Sequence, residues 1–557
     1  MPDARINDLP VIPAYDDDDR LPLVDQSEGV DGTTSQTTLQ NYENARVAPL
    51  ITDAGQRVFK SFTVNPDAAV TQGRFVSLRW DNTIEHSTTG RDLFTPRNNG
   101  ATVDSGQAFS QVHIAKLTDE KTVVGYFDPD APGSINFNVV DFSNGVGTAG
   151  TPSEFKSASA LETADISALT STTFIFAYRD ASAGNRARAV VGTVSGTSIS
   201  YGTEIDVNST NVAQNIGVVA CTATQGLIVW SDVSDTDNGK AAVFTITSGD
   251  TITLGTILTF ETGTFSTTLR GNNIIVRLAD DRALCSYIEQ TGDNDILARV
   301  LDFTGTGGSA TVTAGSSAGV TSSGDHGQIS VLPFTETEFL IFYTDVPEAD
   351  LFVRAGFIDS TTITFPAAAK QFTFQGFSDV GAIASVVVDE SNFLIMLVAG
   401  LGPSGVLELF MGHYNRGNET VAENIEVTLQ DLGFVTGSGQ DLDAIRINDN
   451  AVYLAYQNNV LSPSQGIVVR QYDFRRPLGV ALTGGAANAS ANVAISGISD
   501  VHSGLDAGNH AYSDNIGRVS TITTKPVKDN VKRIGTALSA TEVLLDFKRG
   551  NFLEDGL

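Results

Sequence analysis

The residues of this chain with the most obvious chemical capacity are carboxylates in short polar loops. Asp128 and Asp130, Asp232, Asp235 and Asp237, Asp293 and Asp295, and Asp345, Glu348 and Asp350 each cluster between two apolar runs. Carboxylates at alternate positions can converge on a hard cation. The segment DTDNG at 235–239 comes nearest to a calcium loop, which makes Asp235 and Asp237 the calcium candidates, although no Glu follows at the position that would bind bidentately. Asp and Gly are also the ordinary turn formers of hairpins, and solvated turns are the simpler reading. The six histidines, at 86, 113, 326, 413, 502 and 510, show neither an i, i+4 pair nor an H-x-H, so no zinc site is expected. His113 and His413 fall in strand-like runs and are expected as packed or surface residues. No Gly-x-Ser-x-Gly elbow, Walker loop or Cys–His arrangement occurs. Among 65 acidic residues, glycosidase-like carboxylate pairs are too numerous to single one out, so no catalytic residue is assigned and no enzyme activity is expected.

The elements that must position these residues are strands. Glycine numbers 53 in the 557 residues, Thr, Ser and Val abound, and apolar residues alternate with polar ones between turn signals, which indicates an all-β chain with almost no helix. The formal charge of −31 would repel a phosphate backbone and argues against nucleic acid as a partner. Cys221 and Cys285 each sit in an apolar stretch, so no disulfide framework is expected and folding in a reducing cytoplasm fits. The N-terminus lacks the basic start and apolar run of a signal peptide, and no uncharged apolar span is long enough for a membrane helix.

One apolar pattern returns seven times: TVVGY at 122–126, TFIFAY at 173–178, GLIVW at 226–230, ALCSY at 283–287, FLIFY at 339–343, FLIML at 393–397 and VYLAY at 452–456. Their last residues lie 52, 52, 57, 56, 54 and 59 residues apart. A shorter strand precedes each (VHIAKL at 112–117, ISALT at 166–170), an alternating strand follows (ARAVVGTV, ILARVLDF), and a polar outer strand usually closes the unit (TSISYGTEI at 197–205). Four antiparallel strands per repeat make a propeller blade, since a small sheet must stack on neighbours to bury both faces and ring closure protects its edges. A solenoid or stacked sandwiches compete, but sandwiches have no reason to repeat at this period and no capping repeats are visible. With only Trp80 and Trp230, the chain carries neither the tryptophan-aspartate motif of WD repeats nor the Ser-x-Asp-x-Gly-x-x-Trp boxes of sialidases.

The flanks carry a resemblance. RINDLP at 5–10, an acidic run ending at Asp19 and then LPLVDQSEGVDGTTSQTTLQNY resemble the N-terminal module of tailed-bacteriophage fibre and other virion proteins. From Pro477, PLGVALTGG, a hairpin with Ser503, Gly504, Leu505, Gly508 and Tyr512, a strand with Gly517 and Ser520, and Gly535, Ala537, Leu538, Ser539, Ala540 and Thr541 resemble a β module of phage fibres; Ala511 replaces the first aromatic of its Tyr-Tyr pair. AVTQGRFVSLRWDNTIEHS at 69–87 is similar to the strand pair that opens the same module.

The expected architecture is therefore an all-β, seven-bladed propeller inserted in, or flanked by, a small β domain, with an extended N-terminal arm. Its parts are a virion-docking arm at 1–50, the first part of the β domain at 51–104, the propeller at 105–476 and the C-terminal β domain at 477–557. The resemblance implies a structural component of a phage particle, a tail fibre or appendage contributing to host attachment, with a nozzle, collar or head-decoration subunit as an alternative and a glycan-processing depolymerase as another. It implies docking to other virion proteins through Ile6, Leu9, Pro10, Leu21, Leu23 and Val24, a host-surface receptor or glycan as the outward partner, a homo-oligomer with a trimer as the first guess, and a place in the tail or neck of a virion made in the host cytoplasm. Beyond the calcium candidates, no cofactor is expected.

Overall fold

The computed structural model describes the strands between Val58 and Leu545 and most of the turns between residues 100 and 372. The arm, with Ile6, Leu9, Pro10, Leu21, Leu23 and Val24, lies outside the described residues. Every regular element among the described residues is a strand or a single 3₁₀ turn.

Seven separate antiparallel sheets follow one another along the chain. Their first strands are Ser110–Lys116, Ala164–Ala168, Ala213–Ala220, Ile275–Ala279, His326–Pro333, Val380–Val387 and Leu442–Asn448. Each of these touches the next, and the seventh returns to the first. Such a closed cycle of innermost strands is a seven-bladed propeller around a central channel. The second strand of each blade carries the apolar repeat and is buried on both faces: Thr173–Asp180, for example, is buried from Phe174 to Asp180. Packing between blades explains why these strands read as continuous apolar runs rather than alternating ones.

Strand polarity defines two faces. Second strands run toward the hairpins that lead to the third strands, here called the upper face, and first strands begin there. The lower face holds the turns between first and second strands. Cross-strand Phe–Gly pairs recur inside the blades: Phe174 faces Gly192, Phe339 faces Gly356 and Phe393 faces Gly412, while the third blade reverses the order with Phe244 facing Gly226. The ring lies over the glycine, where no Cβ could stand.

The ring closes without a covalent link. In the seventh blade the outer position is filled by Phe94–Pro96 and Ala101–Ser105, both paired antiparallel to Gly466–Phe474. Phe94–Pro96 and Ala101–Asp104, expected in the small β domain, thus pair within the propeller. The physical reason is that the last sheet would otherwise present an open edge, and these strands cover it before the chain turns into the first blade.

Strands on both sides of the propeller pair directly. Val58–Val64 pairs with Thr83–His86 and with Ser490–Ser499, while Phe75–Leu78 pairs with Thr83–His86 and with Arg476–Ala481. Arg476–Ala481 also pairs with Ser490–Ser499, which closes a ring of five strands. The far end of Ser490–Ser499 continues through Val543–Leu545, Lys532–Ala537, His510–Ser513 and Val519–Thr521 into a nine-stranded sheet. Phe94 pairs with Phe474, so the chain enters and leaves the propeller side by side on its lower face.

Candidate functional site

The upper hairpins display acidic residues because each second strand of the first five blades ends in an aromatic-x-acid triplet: Tyr126 and Asp128, Tyr178 and Asp180, Trp230 and Asp232, Tyr287 and Glu289, Tyr343 and Asp345. The described aromatic rings are buried between blades; of the acids that follow them, Asp180 and Asp232 are buried and Asp128 and Glu289 half-buried. Several carboxylates there hold cations from a neighbouring strand or blade. Lys156, on the outer edge of the first blade, lies 2.5 Å from Asp180 and 3.2 Å from Glu204 in the second, and its ammonium also caps the Tyr178 ring. Arg188 adds a 2.9 Å contact to Asp206, and Tyr178 donates its hydroxyl to Glu204. Burial works to raise the Asp180 carboxyl, but hydrogen bonds from Lys156 and Ser182 outweigh it and hold the group below its usual range.

The same logic recurs at other junctions. Glu261 of the third blade accepts the hydroxyl of Tyr287 and lies 3.1 Å from Arg299, both in the fourth. Asp104, on the strand that closes the seventh blade, accepts the Tyr126 hydroxyl of the first at 2.8 Å.

The calcium candidates separate. Asp235 pairs with Lys240 at 2.5 Å, and hydrogen bonds from Lys240 and Asn238 hold its carboxyl low. Asp237 sits with left-handed backbone, φ 57°, and its carboxyl is raised by burial and by the charge of Asp232. Among the described residues no group of three or more His, Cys, Asp or Glu side chains converges as a metal site. Asp130, Asp293 and Glu348 lie outside the described residues, and Asp345 and Asp350 are described by backbone alone.

Around the channel, sequence reasoning missed a set of clasps. An innermost strand is a sheet edge whose N–H groups need partners. Asp165 accepts from the backbone of Val218 in the third blade at 2.8 Å, and Asp443 accepts from Ile114 in the first at 2.8 Å. Their second oxygens take the N–H groups of Ile166 and Ala444. Ser167 accepts from Ala220, and Ser330 bonds Ser385 at 2.7 Å. His113, Asp165 and Asp443 occupy one register position, opposite Gly125, Ala177 and Ala455, in the first, second and seventh blades. Burial raises Asp165 to about 7 and Asp443 to about 8, against the pull of their N–H donors, and it lowers His113 to about 4. The one signal in the sequence was Asp165, immediately before the expected strand at 166–170; the strands expected at 112 and 329 follow glutamines instead.

Both cysteines are buried and free, and burial pushes each thiol up to about 12, which makes them inert packing residues. On the lower face a cleft of about 710 Å³ is lined by Gln225, Arg277, Asp280, Asp281, Phe303 and Glu336 among others. Arg277 there is paired with Asp280, and Gln225 donates to Thr245 and to the carbonyl of Gly305.

No protein-family model and no curated protein matches the chain. Solved propellers do resemble it. The BP39L lectin of Burkholderia pseudomallei is 10% identical, with TM-score 0.45, over 68% of this chain and 100% of the lectin. The β-propeller domain of the Trilobed protease from Pyrococcus furiosus is 9% identical, with TM-score 0.36, over 66% of this chain and 99% of that domain. The NanB sialidase of Streptococcus pneumoniae is 9% identical, with TM-score 0.37, over 68% of this chain and 70% of the sialidase.

Proposed function

We propose that the chain is a structural protein of a tailed-bacteriophage particle, a tail fibre or appendage whose propeller serves host attachment by binding rather than catalysis. The observation that carries this reading is the union of the two flanks. Segments before and after the propeller that resemble phage fibre modules pair strand to strand in one sheet, with the propeller entered and left at one point on its lower face. That arrangement leaves the upper hairpins at the other end of every blade from the point of attachment, and loops on a rigid scaffold are a common recognition surface. The binding reading is supported by the pairing of Asp180, Asp235 and Glu261 with Lys156, Lys240 and Arg299, which commits these carboxylates to holding the fold together. The arm would dock other virion proteins, and the particle-bound form would be a closed homo-oligomer, with a trimer as the first expectation.

Immunogold labelling of purified particles with an antibody to the propeller, read by negative-stain microscopy, tests the assignment. Gold on projections from the tail supports a fibre. Gold confined to the neck, tail axis or head moves the protein to a collar, nozzle or decoration role, and particles without gold remove it from the virion.

A further inference from the structure

The innermost strands begin at the upper face, and in the first, third and fifth blades they do so through a slip of register. The slips fall between Ser110 and His113, between Gln214 and Gly217, and between His326 and Ile329. Each contains an amide side chain, Gln111, Asn215 and Gln328 in turn, and Gln214 stands just before the second slip, paired with Ser231. Gln111 and Asn215 take left-handed backbone, φ 55° and 49°. That conformation costs a residue with a side chain on the order of 1–3 kcal/mol and concentrates where ligands are held; bulges likewise gather at functional rims.

A second observation is independent of the backbone. Gln328 is 7% exposed and His113 5%, yet the amide oxygen of Gln328 and Nε2 of His113 have no hydrogen-bond partner among the described residues. The amide oxygen of half-buried Gln214 has none either. A buried polar atom left without a partner costs about 1–3 kcal/mol. Three such atoms on innermost strands around one axis are costly for a channel that only fills space, and they are what a site prepared for a ligand requires.

We propose that the upper mouth of the central channel is a carbohydrate site that takes a neutral or amino-sugar residue through the side-chain amides of Gln214 and Gln328. The choice of a sugar, over another small polar molecule, rests on the attachment reading above. Amide oxygens accept from sugar hydroxyls and amide N–H groups donate to them, a two-way pairing that carboxylates alone cannot offer. His113, kept uncharged by burial, presents Nε2 as one more acceptor. The chain's formal charge of −31 disfavours acidic sugars.

The test uses the full chain on a printed array of neutral, N-acetylated and sialylated oligosaccharides, beside Gln214→Ala and Gln328→Ala, with thermal unfolding to show that each variant is folded. Neutral or amino-sugar ligands should be retained by the wild type and weakened about three- to tenfold by Gln214→Ala, the loss of one or two hydrogen bonds. Retention of sialylated ligands alone overturns the proposal, as does a neutral ligand whose affinity neither variant changes. An array with no ligand overturns it too. None of these outcomes alters the particle labelling, so the virion assignment stands or falls separately.

Discussion

Asp443 accepts the backbone N–H of Ile114 at 2.8 Å, a hydrogen bond between residues 329 positions apart that joins the innermost strand of the last blade to that of the first. Together with the strands at 94–105 on the outer edge of the seventh blade, it closes the ring from the inside and the outside at once. Removing the acceptor leaves the Ile114 N–H buried and unpaired. Asp443→Ala should destabilise the propeller by about 1–3 kcal/mol, seen as a lower midpoint in chemical denaturation, whereas Asp443→Asn keeps one acceptor and should lose less.

The same carboxyl makes stability depend on pH. Its folded value, raised by burial to about 8, lies above the ordinary carboxylate value, so its contribution is fully present at acid pH and is lost as pH rises through 8. Asp165, raised to about 7, acts in the same direction. Between pH 5 and 8 the wild-type Tm should fall more steeply than that of Asp443→Asn. Equal slopes would mean that the carboxyl titrates normally.

His113 works in the opposite sense. Burial depresses its folded value from 6.5 to about 4, so its contribution is present above 6.5 and is lost as pH falls through 4. A His113→Gln variant should flatten the acid limb of the Tm profile and leave the limb above pH 7 unchanged.

Glycines opposite phenylalanines are sites of close packing rather than flexibility. A Cβ on Gly192 would lie 2.1 Å from the ring of Phe174, and on Gly412 2.1 Å from that of Phe393. Gly192→Ala and Gly412→Ala should each cost about 1–3 kcal/mol through overpacking. Gly308→Ala, where nothing lies within 4 Å, should be silent in the same unfolding assay.

Between blades the obstacle is backbone. Gly202, Gly255 and Gly315 follow equivalent outer strands, and a Cβ on each would meet a carbonyl of the next blade's outer turn: Asp250 at 2.7 Å, Ala310 at 2.4 Å and Thr361 at 2.3 Å. Because backbone cannot swing aside as a ring can, Gly255→Ala should perturb both the third and fourth blades, visible as faster amide exchange in each.

Calcium should have no effect on the third blade. Asp235 is paired with Lys240, and a cation shared with Asp237 would have to displace that lysine, so millimolar calcium should leave amide exchange in the turn at 233–237 unchanged. A calcium-dependent change would require that ion pair to open.

Seven returns of one apolar segment, ending in Tyr126, Tyr178, Trp230, Tyr287, Tyr343, Leu397 and Tyr456, were enough to count the blades. Period and alternation are properties of neighbouring residues, and burial between stacked sheets writes them directly into the chain. The partner of a short strand is not written in the same way. Phe94–Pro96 and Ala101–Ser105 read equally well as strands of the small β domain, and only the open edge of Gly466–Phe474 assigns them to the propeller. The acids divide likewise. Asp235 and Asp237 form a loop motif by spacing, but Lys240 takes one of them; Asp165 and Asp443 carry no motif, yet they bridge blades because the N–H groups of Val218 and Ile114 stand unpaired at the channel edge. Local sequence determined which segments become strands and how many sheets they build, whereas edge pairing and the partners of buried polar groups depend on residues distant in sequence and were decided only by the closed ring.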